Sequence, residues 1–206
     1  MENSVIHLSS GGVPAAPLAR LIYAVDATAS REPAWVVARD VQSRMFIEAA
    51  NKNVSLNLQL VFYGGNRCQA SRWKSRGEDL ARLMVTVNCE AGMTQIEKVL
   101  RHALREHEQS PIQAVTFIGD AMEEELDVLA GLADKLGVAD VPLHTFLEGD
   151  DAIARNAFRL LALRTGGTFS QFNTAKPETI QRLSAQLNTI ALAAASTLAI
   201  GTDNTK

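Results

Sequence analysis

Two short apolar runs, each closed by an aspartate, constrain this chain more than any other feature: LIYAVD at 21–26 and AVTFIGD at 114–120. Neither alternates polar with apolar residues, so neither has a face to give to water. A strand buried on both sides needs cover on both sides, and a parallel sheet flanked by helices supplies it. The intervening sequence fits that demand. VSLNLQLVFYGG alternates Val54, Leu56, Leu58 and Leu60 with other residues and ends in Gly-Gly, as a strand does. VPLHTFLEG (141–149) and GTFSQF (167–172) are further strands. Helical spacing is expected at 34–52, after Pro33 at a first helical position, and again at 94–109, 122–137, 151–167 and 176–196. The polar stretch 66–78 is expected to be a loop, and 79–88 a helical turn running into a short strand at 84–87.

Strands alternating with helices of this length mean right-handed crossovers. The expected fold class is α/β: a doubly wound, mostly parallel central sheet with helices on both faces, Rossmann-like. Residues 1–18, rich in Ser, Gly, Pro and Ala, form an expected N-terminal arm; 19–200 are one domain and 201–206 a disordered tail.

Totals narrow the function. The 206 residues are 47% hydrophobic and 21% charged, with a formal net charge of −3, so no basic surplus points to nucleic acid. The cluster Arg67, Arg72, Lys74 and Arg76 around Trp73 is followed by Glu78 and Asp79 and is a solvated loop in this reading. Cys68 and Cys89 form neither a disulfide framework nor a spaced ligand set. The first residues lack the pattern of a signal peptide, and IALAAASTLAIG is too short to span a bilayer. The expectation is a cytoplasmic protein with neither membrane nor nucleic acid as partner.

In a doubly wound sheet the ligand crevice lies at the carboxyl ends of the strands. Asp26, Thr28 and Ser30 follow the first strand, Asp120 follows the central one, and Gly92 and Thr94 open a helix. Carboxylates and hydroxyls are hard oxygen ligands, which suit Mg²⁺ or Mn²⁺. Thr28, Ser30 and Thr94 could ligate directly while Asp26 and Asp120 hold waters. One coordination position would stay open for a ligand's own carboxylate.

DATAS at Asp26, Thr28 and Ser30, GMT at Thr94 and FIGD at Asp120 resemble the metal-ion-dependent adhesion site (MIDAS) of von Willebrand factor A (VWA) domains. That site is D-x-S-x-S, then a distant Thr, then a distant Asp. The order of elements from Leu21 to about Asn188, including LLALRTGGTFSQF, is similar too. Thr28 stands where the family usually has Ser, and Ala121 follows Asp120 where Gly is common. The resemblance implies a binding module in which one divalent cation captures an Asp or Glu carboxylate of a protein partner. It also implies work beside AAA+ ATPases or in larger assemblies.

Plainer roles exist for each residue. Asp26, Ser30, Thr94 and Asp120 are all good helix caps. Glu123, Glu124 and Glu125 read as a helix first turn facing the macrodipole, with a sharper role for one of them beside the metal. His102 and His107 read as surface or edge residues, and Trp35 as core. Two other functions keep the fold: a metal-free scaffold, and a Mg-dependent phosphoryl-transfer enzyme with Asp26 as nucleophile. The second wants an Asp where Thr28 stands, and no phosphate loop, dinucleotide fingerprint or catalytic triad supports an enzyme.

Overall fold

A computed structural model describes residues 18–31, 35, 40 and 56–203. Most of the expected arm and most of the expected helix at 34–52 lie outside the described residues; Trp35 and Asp40 are helical. Among the described residues six strands form one sheet: β1 (Ala19–Asp26), β2 (Leu56–Gly64), β3 (Arg67–Ala70), β4 (Ala114–Gly119), β5 (Leu143–Glu148) and β6 (Phe169–Phe172). Their order is β3-β2-β1-β4-β5-β6. Every pairing is parallel except β2 with β3. This is the mostly parallel sheet expected of the sequence, made mixed by one antiparallel strand that was not expected.

The apolar runs have the two-sided burial they require. Leu21, Tyr23 and Val25 of β1 pack with Trp35, Leu80, Met84, Leu183 and Leu187 on one face. Ile22 and Ala24 pack with Val99, Leu100, Leu129, Leu136 and Phe158 on the other. Each large aliphatic side chain so covered contributes about 1.5–3 kcal/mol. The first face is covered by α1 (Gly77–Thr86) and α5 (Pro177–Asp203), the second by α2 (Ile96–Gln109), α3 (Leu126–Val138) and α4 (Ala152–Arg164).

Four expectations change. The stretch 66–78 contains a strand, β3, turned back on β2 through Gly65 at φ +57°, a conformation that suits glycine. The strand expected at 84–87 is the end of α1. Leu80 and Met84 are core residues four apart, and the indole of Trp35 donates to the Met84 carbonyl at 2.9 Å. That packing outweighs the β-preference of Val85, which stands 60% exposed. Helix α3 starts at Leu126, so the three glutamates precede it. Helix α5 runs on to Asp203, into the stretch expected as tail.

At the amino end of the sheet a polar network closes on itself. Arg20 on β1 pairs with Glu106 on α2 (3.1 Å), and its guanidinium lies 4.0 Å from the centre of the Trp73 ring. The Trp73 indole (2.9 Å) and the Gln59 amide (3.4 Å) also donate to Glu106. His102 reaches the Gln59 amide oxygen at 2.8 Å. Despite its burial, these donors and the nearby positive charge hold the Glu106 carboxyl below its ordinary range, and burial lowers that of His102. Trp73 and His102 are thus tied into this network, where the sequence placed Trp73 in a solvated loop and His102 at the surface or an edge.

Candidate metal centre

β1 and β4 are neighbours whose connections leave on opposite sides, so a crevice opens between their carboxyl ends. Asp26 is the last residue of β1 and Asp120 follows the last residue of β4. Asp26 is 0% exposed, and both its oxygens are engaged: Oδ1 accepts from the Thr28 amide (2.7 Å) and Oδ2 from the Tyr63 hydroxyl (3.1 Å). Beyond it the chain enters a short 3₁₀ turn, Ala29–Arg31. There the Ser30 hydroxyl donates to Asp120 Oδ2 at 2.8 Å. Thr28 Oγ1 lies 3.2 Å from Ser30 Oγ. Each hydroxyl has one proton, and that of Ser30 goes to Asp120, so Thr28 is the donor to Ser30.

Four of the five sequence-predicted residues are therefore joined: Asp26 to Thr28, Thr28 to Ser30, and Ser30 to Asp120. Asp120 Oδ1 is buried and has no hydrogen-bond partner among the described residues. Ser30 is exposed, so the group opens to solvent on one side.

Thr94, 6% exposed, is not in that chain of bonds. Its hydroxyl accepts from the Glu123 amide (3.1 Å), and its own amide donates to Glu123 Oε2 (2.9 Å). Its loop nevertheless runs beside the site. Ala27 donates to the Tyr63 carbonyl (2.7 Å), and the Ala27 carbonyl accepts from Glu90 (3.0 Å). Gly64 makes this approach possible, since a Cβ there would stand 2.5 Å from the Ala27 oxygen.

Neither departure from the motif strains the backbone. Among the described residues Asp140 alone combines a side chain with positive φ, so Ala121 needs no glycine-only conformation. Thr28 takes the hydroxyl position, 3.2 Å from Ser30 Oγ, and is buried.

Tyr63 is the contributor that the sequence reading missed, and the glutamate pair serves a different helix from the one expected. Tyr63 is paired in register with Asp26 across two parallel strands, which puts both side chains on one side of the sheet. Burial, and then the Asp26 charge, push its hydroxyl well above the ordinary tyrosine range, so it remains a proton donor. A tyrosine just ahead of Gly-Gly at a strand end was the available signal. Glu124 accepts from the amides of Ile96 (2.6 Å) and Glu97 (2.9 Å), the first turn of α2. The glutamates thus face a macrodipole as expected, but that of α2 instead of the helix they precede.

The donor set suits a hard divalent cation. Among the described residues no group of three or more His, Cys, Asp or Glu side chains could hold a metal, so an ion here would depend on hydroxyls and water beside the two aspartates. The orphaned Asp120 Oδ1 is a ready acceptor for it. A groove of about 730 Å³ lies elsewhere, between α5 and the starts of β4, β5 and β6, with Pro142, His144, Phe169 and Ile190 in its walls. It is remote from this chemistry.

No family model and no curated protein matches the sequence. Solved structures match the fold. The VWA domain of SpRpn10 aligns with TM-score 0.64 and 14% identity over 82% of this chain and 95% of that one. The von Willebrand factor domain of a type V pilus tip protein from Porphyromonas gingivalis gives 0.65 and 12%, over 89% and 96%. Proximal thread matrix protein 1 of the mussel byssus, with a zinc-occupied MIDAS motif, gives 0.66 and 14%, over 87% of this chain and 46% of that one. The architecture is that of VWA domains. Among the described residues no helix is long and apolar enough to cross a membrane.

Proposed function

We propose that this chain is a protein-binding module that captures a carboxylate of its partner through one divalent cation, Mg²⁺ or Mn²⁺. The observation that carries the reading is the buried, unpartnered Asp120 Oδ1 beside two hydroxyls at the switch point of the sheet. Asp26, Thr28, Ser30, Thr94 and Asp120 would hold the ion, directly or through water. The cation supplies a positive charge for an incoming Asp or Glu in a crevice whose own side chains are acidic or neutral. The mussel thread protein, with its zinc-occupied MIDAS, supports a divalent ion on this architecture. An AAA+ ATPase neighbour belongs to the proposal and rests on the sequence resemblance alone; a cytoplasmic location is proposed as well, from the sequence composition.

A phosphoryl-transfer reading needs Asp26 as a nucleophile in reach of substrate. Its full burial and its bonds to Thr28 and Tyr63 favour a structural carboxylate instead.

The test is thermal unfolding of metal-stripped protein with added Mg²⁺ or Mn²⁺. A ligand bound only by the folded state at a hundred times Kd stabilises by about 2.7 kcal/mol. For a domain of this size that is an upward shift in Tm of roughly 5–10 °C. Asp120→Ala is expected to abolish the shift while leaving the metal-free Tm near that of wild type. An unchanged Tm in wild type at millimolar cation would sink the reading.

A further inference from the structure

The N-terminus of α2 is held by side chains that come from another loop. Its N-cap, Gln95, makes no side-chain cap bond, and its amide reaches instead to the Gly65 carbonyl at 3.1 Å. Glu123 and Glu124, which follow β4, fill the gap with four bonds. Glu124 takes the amides of Ile96 and Glu97. Glu123 and Thr94 bond reciprocally, side chain to main chain in both directions. This resembles a capping box, in which two orphan groups satisfy each other, except that its halves lie 29 residues apart.

Ala91, Gly92 and Met93, just ahead of Thr94, are exposed, Met93 by 63%. Nothing in that stretch buries side chains well enough to fix the threonine. Glu123 does fix it, at both its amide and its hydroxyl. Asp120, three residues before Glu123, carries the orphaned oxygen of the candidate metal centre. One short loop therefore bears a ligand candidate and the clasp that holds another.

We propose that Glu123 is a positioning residue for the cation site: through its Oε2 it fixes the Thr94 amide, and so holds the Thr94 hydroxyl where an ion can use it. This rests on the reading of Asp26, Thr28, Ser30, Thr94 and Asp120 as a cation site. Its role is geometric and does not depend on the charge of the carboxylate. A glutamine retains the acceptor oxygen and fills the role; an alanine lacks it. Ordering a ligand in advance removes an entropic cost from binding, and losing a supporting partner of this kind typically weakens metal affinity 10–100-fold.

The experiment compares wild type, Glu123→Ala and Glu123→Gln, each metal-stripped and shown folded by circular dichroism. Mn²⁺ alone is titrated calorimetrically, and exchange of the Thr94 amide is followed by NMR without metal. Glu123→Ala is expected to bind Mn²⁺ about tenfold or more weakly and to exchange the Thr94 amide faster. Glu123→Gln is expected to match wild type in both. If Glu123→Ala binds as tightly as wild type, the positioning role is overturned and the cation site stands. If Glu123→Gln is as weak as Glu123→Ala, charge is the contribution and positioning is again overturned. If wild type itself takes up no Mn²⁺, the site fails and the positioning role with it, whatever the amide exchange shows about the clasp.

Discussion

At the amino end of the sheet Glu106 is enclosed by donors, whereas at the carboxyl end Asp120 keeps one buried oxygen with none. Both ends bring charged and polar side chains together from distant parts of the chain. The network around Glu106 is satisfied by Arg20, Trp73 and Gln59, with His102 joined through Gln59, so it asks nothing of a ligand. The group around Asp120 leaves an acceptor open, and solvent reaches it at Ser30. Buried polar atoms are nearly always paired in native proteins, and the exceptions require a reason. The difference teaches that a saturated network is architecture, while an unsaturated one of the same size is a candidate for binding.

Three substitutions would break or sharpen this contrast. Glu106→Ala is expected to have the largest effect, because it leaves Arg20 and the Trp73 indole without their shared acceptor. Roughly 2 kcal/mol, below the range for a fully buried pair because Arg20 and Glu106 are only part-buried, should disappear in urea unfolding, with the Mn²⁺-dependent increment unchanged. A metal response that fell with it would mean that the two ends are coupled. Tyr63→Phe comes next. It retains the ring that stacks on Phe117, with centroids 6.2 Å apart, and deletes only the donor to Asp26. The expected loss is about 1.5 kcal/mol, typical of a hydrogen bond to a charged group, and here the Mn²⁺ increment should shrink as well. Stability unchanged by this deletion would show that Asp26 does not need the tyrosine.

The smallest effect concerns His144, at the start of β5. Burial lowers its pKa to about 4, and its Nδ1 accepts from the Thr168 amide at 3.2 Å, a bond that protonation at Nδ1 would break. The folded value lies below the ordinary 6.5, so the unfolded chain binds the proton first as pH falls. Stability from this residue is full above pH 6.5 and declines towards pH 4. Wild type should therefore lose about 1 kcal/mol more than His144→Gln between pH 7 and 4.5, after allowance for partial exposure. Parallel pH profiles for the two proteins would refute this.

The parts legible in the sequence were those that one segment decides by itself. The runs at 21–25 and 114–118 have no polar face, so covered parallel strands followed from them alone. Asp26, Thr28 and Ser30 lie on one turn, and that they come together with Asp120 follows from two strands being neighbours. The missed parts depend on register and on packing between elements. Tyr63 serves Asp26 only because β1 and β2 pair with those two residues opposite each other. Glu124 looked like the first turn of its own helix, yet it caps another, and no local pattern distinguishes the two. The strand expected at 84–87 failed for the same reason: Trp35, some fifty positions earlier, takes the Met84 carbonyl.

One consequence of the loop after β1 concerns redesign. The threads that bind it to the rest of the protein run through the main chain of Ala27, which gives its amide to Tyr63 and its carbonyl to Glu90. Ala29 beside it is exposed. The side chain at 29 can be exchanged to give the rim of the crevice a new charge or shape, and the stitches stay in place. The position that cannot be rewritten is Gly64, which belongs to another strand and would never be chosen from the motif. A designer who varied the binding loop and left Gly64 alone would change what the crevice prefers without moving the crevice.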